Sequence, residues 1–151
     1  MHQKKLILSL SLVVAVAIGC AVHNHHGGVA GDPNYKSKVL SVVTPMTHGS
    51  TYSVTVCTTN SSALNDAPAL SSKTWVYICT SSVSLATASN LTEFTVASLP
   101  KKAYTNCTGN ITIPSTWPTG QSYIFSYADK RNDILESNEN DNTNAVAVTI
   151  Q

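Results

Sequence analysis

The sequence predicts an all-β domain, an antiparallel Greek-key sandwich of about seven strands. Three observations point there. From Lys38 onward apolar residues recur with period two rather than 3.6. The runs that show it are short, rich in Val, Ile, Thr, Tyr and Phe, and bounded by Gly, Pro, Asn and Ser turns. Helix signals are nearly missing: "SVSLATASNL" lacks a clean apolar stripe and reads as a short strand and loop.

In chain order the runs are "VLSVV", "TYSVTVCT", "TWVYIC", "LTEFTVAS", "NCTGNITI", "SYIFSYA" and "NAVAVTI". In the second, Tyr52, Val54 and Val56 alternate with Ser53 and Thr55; in the last, Val146, Val148 and Ile150 alternate with Ala147 and Thr149. Each strand is expected to show one apolar and one largely hydroxylated face. Short strands joined by turns bury their apolar faces best as two packed sheets. Tyr123, near the start of the sixth strand, is a candidate tyrosine-corner residue tying the sheets together.

The N-terminus reads differently. "MHQKKLILSLSLVVAVAIGC" places two lysines before an apolar run of about fourteen residues, the layout of a secretory signal and short for a bilayer span of about twenty. Its end, "AIGC", resembles the bacterial lipoprotein signal, which implies that Cys20 carries a thioether-linked diacylglycerol and becomes the mature N-terminus. Ordinary cleavage nearby, for example after Ala21, remains open; either way the protein is exported. Residues 20–37 are expected to form a flexible tether, given Gly27, Gly28, Gly31 and Pro33. His23, His25 and His26 within it lack any second shell and read as solvated spacer rather than metal ligands. The expected organisation is thus signal 1–19, tether 20–37 and β-domain 38–151.

Composition excludes one partner class. Only 11% of the 151 residues are charged and the formal net charge is +1; removing residues 1–19 leaves it near −1. Such a surface has no electrostatic footprint for nucleic acid.

The densest chemistry lies in "YADKRNDILESNENDN", residues 127–142, between the sixth and seventh strands. It holds five of the eight carboxylates: Asp129, Asp133, Glu136, Glu139 and Asp141. Asp129, Asn132, Glu136, Ser137, Glu139 and Asn142, followed by a Val-rich closing strand, resemble the end of a CARDB domain, a bacterial cell-adhesion-related domain. "THGSTYSVTVCTTNSS" is similar to that family's second strand, with Asn60 at its asparagine and Ser62 where it has glycine; "VYICTSS" resembles the third. The resemblance spans about residues 38–151 and implies an immunoglobulin-like sandwich.

Two readings of the connection stay open. In one, Asn132, Ser137, Asn142 and the carboxylates cap backbone N–H groups in a structural turn, with Ile134 or Leu135 pinning it to the core. In the other, Asp129, Asp133, Glu136 and Glu139 hold a Ca²⁺ ion, which needs six to eight oxygens. Catalysis fits worst. Paired glycosidase carboxylates come from separate elements, and no Gly-x-Ser-x-Gly, His-Glu-x-x-His or phosphate-cradling glycine loop occurs. Trp75 and Trp117 are candidates for sugar stacking or, more commonly, for core. No cofactor other than that Ca²⁺ is expected.

Beyond Cys20, three cysteines remain: Cys57, Cys79 and Cys107. In an immunoglobulin-like sandwich the second and fifth strands are antiparallel neighbours, so a Cys57–Cys107 disulfide with a buried Cys79 is expected. Because the side-chain parities disagree, it requires a bulge. Three reduced thiols are the alternative.

The expected function is a non-catalytic adhesion or binding module, or a spacer, meeting a protein or glycan at the bacterial surface. Alternatives are a calcium-dependent carbohydrate-binding module and an accessory subunit of an exported hydrolase.

Overall fold

A computed structural model describes residues 32–64, 70–80 and 84–151. The signal segment, Cys20 and the histidine trio lie outside the described residues.

Seven strands form: β1 Tyr35–Ser41, β2 Thr51–Asn60, β3 Ser72–Cys79, β4 Ser89–Val96, β5 Tyr104–Thr112, β6 Gly120–Tyr127 and β7 Thr143–Ile150. They build two antiparallel sheets with strand orders β1-β2-β5 and β4-β3-β6-β7. The fourth strand therefore joins the sheet of the third, sixth and seventh, not that of the first, second and fifth as in a constant-type immunoglobulin domain. No helix occurs among the described residues.

The period of two puts Val54 and Val56 of β2, Val76 and Ile78 of β3, Ile124 of β6 and Val148 and Ile150 of β7 into one core between the sheets. Full burial of each aliphatic side chain contributes about 1.5–3 kcal/mol, so this layer dominates the fold's stability. Gly109 of β5 lets the sheets close at one side. A Cβ there would stand 2.8 Å from the Phe94 ring.

Four expectations are corrected. The domain starts before residue 38: β1 begins at Tyr35, whose side chain is completely buried. Tyr35, Ser37 and Val39 turn inward while Lys36 and Lys38 turn out, a strand pattern disguised by the polar residues around it.

The outer face of the second sheet is not hydroxylated. Tyr77, Cys79, Phe125 and Tyr127 are buried there in a second cluster, with Leu85 and Ala88 from the β3–β4 connection against it. Tyr77 stacks on Phe125 with ring centroids 5.0 Å apart. Tyr123 belongs to this outer cluster, so it is no corner between the sheets. The tie is made by Tyr35, whose hydroxyl accepts the Leu99 N–H at 3.0 Å.

The Cys57–Cys107 disulfide is not formed, and the two thiols stay unlinked. Strands β2 and β5 do pair, but Cys57 faces Asn106 and Cys107 faces Val56 in a register without interruption. Cys107 thus points into the core while Cys57 points out, and the bulge that a bridge requires is not there.

Candidate functional site

The connection from β6 to β7 is built around buried carboxyl groups. Ala128 continues β6 with its N–H on the Asn142 carbonyl at 2.9 Å, which closes the neck of the loop. The chain then reverses at Asp129, whose φ is +43°, and again at Asn132, φ +54°. Asp and Asn tolerate this left-handed region better than other side-chain-bearing residues.

Asp129 has no exposed surface, and its carboxylate accepts the N–H groups of Asp133 at 3.1 Å and Ile134 at 2.8 Å. The turn so fixed inserts Ile134 into a small core with Tyr35, Val96, Leu99 and Ala128. Leu135 stays exposed, so of the two candidates Ile134 is the pin.

Glu136 is also fully buried. One carboxyl oxygen accepts the Tyr35 N–H at the start of β1; the other accepts the Asn142 amide at 3.0 Å. Glu139 returns to cap the Glu136 N–H at 3.1 Å. Ser137 donates its N–H to the Pro33 carbonyl at 2.9 Å. The Asn142 carbonyl accepts the Ser37 hydroxyl at 2.7 Å. Outside, Lys36 pairs with Asp141 at 2.8 Å, a solvated contact of little energetic consequence.

Burial sets the electrostatics. It pushes the Glu136 carboxyl up to about 9, against the opposing effect of the Tyr35 N–H; Glu139 and Asp129 push the same way as burial, and the Asn142 amide opposes them. Desolvation also raises Asp129, although the Ile134 and Asp133 N–H groups pull it back. Burial raises the Tyr35 hydroxyl.

Of the predicted residues, Asp129, Glu136, Glu139 and Asn142 share one network, while Asp133 contributes a backbone N–H and leaves its side chain exposed. The four carboxylates proposed for calcium do not converge. Among the described residues no three His, Cys, Asp or Glu side chains are grouped as a metal ion requires. The buried oxygens are turned to backbone and amide N–H donors, a donor set that serves the chain itself. The Asn142 side-chain oxygen is buried without a hydrogen-bond partner.

Tyr35 and Pro33, the docking partners of this loop, lie within residues 20–37, the stretch expected to be a tether. The alternation Tyr35, Ser37, Val39 was the signal that locates them.

A second clamp at the same end uses Asn60, fully buried. Its side-chain oxygen accepts the Asn34 and Ser62 N–H groups, each at 3.1 Å, and its amide donates to the Leu99 carbonyl at 3.0 Å.

Neither tryptophan offers a free sugar platform. Trp117 packs on the core and donates to the Ser122 hydroxyl at 3.0 Å. Trp75 stacks on Tyr77 at 5.9 Å, with the Arg131 guanidinium 5.8 Å from its ring centre.

Comparison with known proteins bears on this arrangement. The CARDB family profile matches residues 33–146. A CARDB domain from Pyrococcus furiosus, crystallised in complex with di-metal ions, superposes with a TM-score of 0.57 at 22% identity, covering 87% of this chain and 100% of that one. The solution structure of a CARDB domain from the same organism gives a TM-score of 0.56 at 20% identity over 79% of this chain and 95% of that one. A β-glucosidase from Listeria innocua shares the fold with a TM-score of 0.51 at 15% identity, over 78% of this chain but 16% of its own. No curated protein sequence matches.

Proposed function

The chain belongs to the CARDB family, an adhesion-related, non-catalytic immunoglobulin-like module, and from that premise we propose that it works as an exported binding module or spacer, held at a bacterial membrane through a lipid on Cys20. The observation that carries the reading is the direction of the acidic connection. Asp129 caps N–H groups within the connection itself and Glu136 accepts the Tyr35 N–H of β1, so the one carboxylate-rich stretch acts as a joint of the scaffold. A rigid sandwich on a Gly-containing tether presents its strands and loops to a protein or glycan partner at the surface.

The test has two parts. The exported chain should partition into the detergent phase, and Cys20→Ala should remain uncleaved or be mis-sorted; a wild-type protein freely soluble in periplasm or medium would refute the anchor. Cells displaying the chain should be retained on protein- or glycan-coated surfaces more than cells lacking it, and equal retention on every coating leaves only the spacer role.

A second reading rests on the di-metal ions of the Pyrococcus furiosus domain. It requires the 129–139 carboxylates to rearrange around calcium. A cation bound only to the native state stabilises by mass action, so unfolding with and without calcium separates the two readings.

A further inference from the structure

A two-layer sandwich has four edge strands, and each offers unpaired backbone groups to any passing strand. Three of the four edges here carry a defence. β1 has Lys36 and Lys38 facing out and a register irregularity between Val39 and Ser41; the Val39 N–H is taken by the Asn144 side chain at 3.1 Å. β7 is covered near its end: Met46 donates to the Thr149 carbonyl at 2.8 Å, and the Thr149 N–H goes to the Thr44 hydroxyl at 2.9 Å. β4 carries Glu93, paired with Lys73 and Arg131, and its pairing with β3 shifts register between Val76 and Tyr77.

β5 has none of these. Tyr104–Thr112, "YTNCTGNIT", contains no charged residue and no proline, and its register with β2 runs unbroken over nine pairs. The ladder is bracketed by the Ile113 N–H on the Ser50 carbonyl and the Asn60 N–H on the Ala103 carbonyl. Antiparallel alternation then gives the odd-numbered residues to β2 and turns the N–H and C=O groups of Tyr104, Asn106, Thr108, Asn110 and Thr112 to the open side. Among the described residues no backbone group pairs with them there. The side chains of these five residues are also exposed.

We propose that β5 is a self-association edge: two copies of this chain pair antiparallel through β5 about a two-fold axis at Thr108, joining their three-stranded sheets into one of six strands. The occupant follows from self-complementarity. A two-fold contact sets each residue against its mirror position, so a charge on the edge would meet itself or a near neighbour, and β5 has no charge to repel. With Thr108 opposite Thr108 of the second copy, Asn106 faces Asn110 and Tyr104 faces Thr112. All five residues with free backbone groups then fall into hydrogen-bonded pairs, and none is left over. The hydroxyl pairing already present between Thr55 and Thr108, at 2.9 Å, would run on across the axis. Strand addition of this kind takes its affinity from the main chain.

The experiment uses the full chain, made in a bacterial host so that the Asn-x-Thr sequons at Asn106 and Asn110 stay unglycosylated, and purified in mild detergent with reductant. Sedimentation velocity at about 50 µM should show a dimer, the regime of a micromolar Kd. Thr108→Pro removes an N–H that points away from β2, and edge strands tolerate proline in that orientation. It should give monomer, with the dissociation constant raised at least about tenfold. Should that variant fold poorly, Asn106→Lys with Asn110→Lys places lysine opposite lysine twice and should also give monomer. Asn106→Glu with Asn110→Lys makes both contacts complementary and should restore the dimer. Monomeric wild type, a dimer indifferent to both disrupting changes, or a monomer whose β5 takes up only an unrelated extended peptide would each overturn the proposal.

Discussion

The β6–β7 connection and strand β5 are both polar stretches with few apolar residues, the first rich in Asp, Glu and Asn and the second in Asn and Thr, and they handle their polar groups in opposite ways. In the connection the carboxyl groups of Asp129 and Glu136 are fully buried and tied to backbone N–H groups. In β5 the polar side chains of Asn106, Thr108 and Asn110 lie in water and alternate backbone groups have no internal partner. A polar residue whose partner is internal costs stability when it is removed. One whose partner is solvent costs little, and is free to meet another molecule.

The largest break in this contrast should come from Glu136→Ala. It strands the Tyr35 N–H and the Asn142 amide and leaves a cavity, and a loss of about 3–5 kcal/mol in chemical denaturation is expected. Asp129→Ala should cost about 2–4 kcal/mol, because two N–H acceptors vanish and alanine must adopt the φ of +43°. A loss under about 1 kcal/mol for either would mean that solvent already reaches the loop.

The pH dependence sharpens the same point. The Glu136 carboxyl ordinarily titrates at 4.5 and is held up to about 9 in the fold. Between those values the unfolded chain has released the proton and the folded one still binds it. Stability therefore falls as pH rises through this window, by at most about 1.4 kcal/mol per pH unit. Raised Asp129 acts with the same sign just above its ordinary 3.8. Glu136→Gln cannot titrate and should flatten the slope. A wild-type profile that is level from pH 5 to 9 would show that the two N–H donors offset the desolvation.

Smaller effects follow. Gly109→Ala should cost about 1–3 kcal/mol, since the new methyl must displace the Phe94 ring. Thr108→Ala, at the exposed end of the comparison, removes a cross-strand hydroxyl pair and should cost only about 0.2–1 kcal/mol. Smallest of all, millimolar calcium should leave the unfolding midpoint unchanged. A rise of several degrees in wild type, absent in Glu136→Gln, would turn the connection from a joint into a cation site.

Sequence by itself determined the all-β class, the number of strands and the inward positions of β2 and β7, because a period of two forces alternate residues to one face. It also located the acidic connection and the asparagine at 142, since a dense run of oxygen-bearing side chains between strands is visible without coordinates. Tertiary structure decided what local pattern leaves ambiguous. In β3 both parities are apolar, Trp75 and Tyr77 against Val76 and Ile78, and only the opposing sheet chose the aliphatic set for its core. Cys57 and Cys107 sit on neighbouring strands, but register put them on opposite faces. Glu136 looked like a ligand for a cation. Its partner is the Tyr35 N–H, 101 residues away in the chain, and a contact at that separation is set by how the sheets pack, since no local pattern in the sequence encodes it.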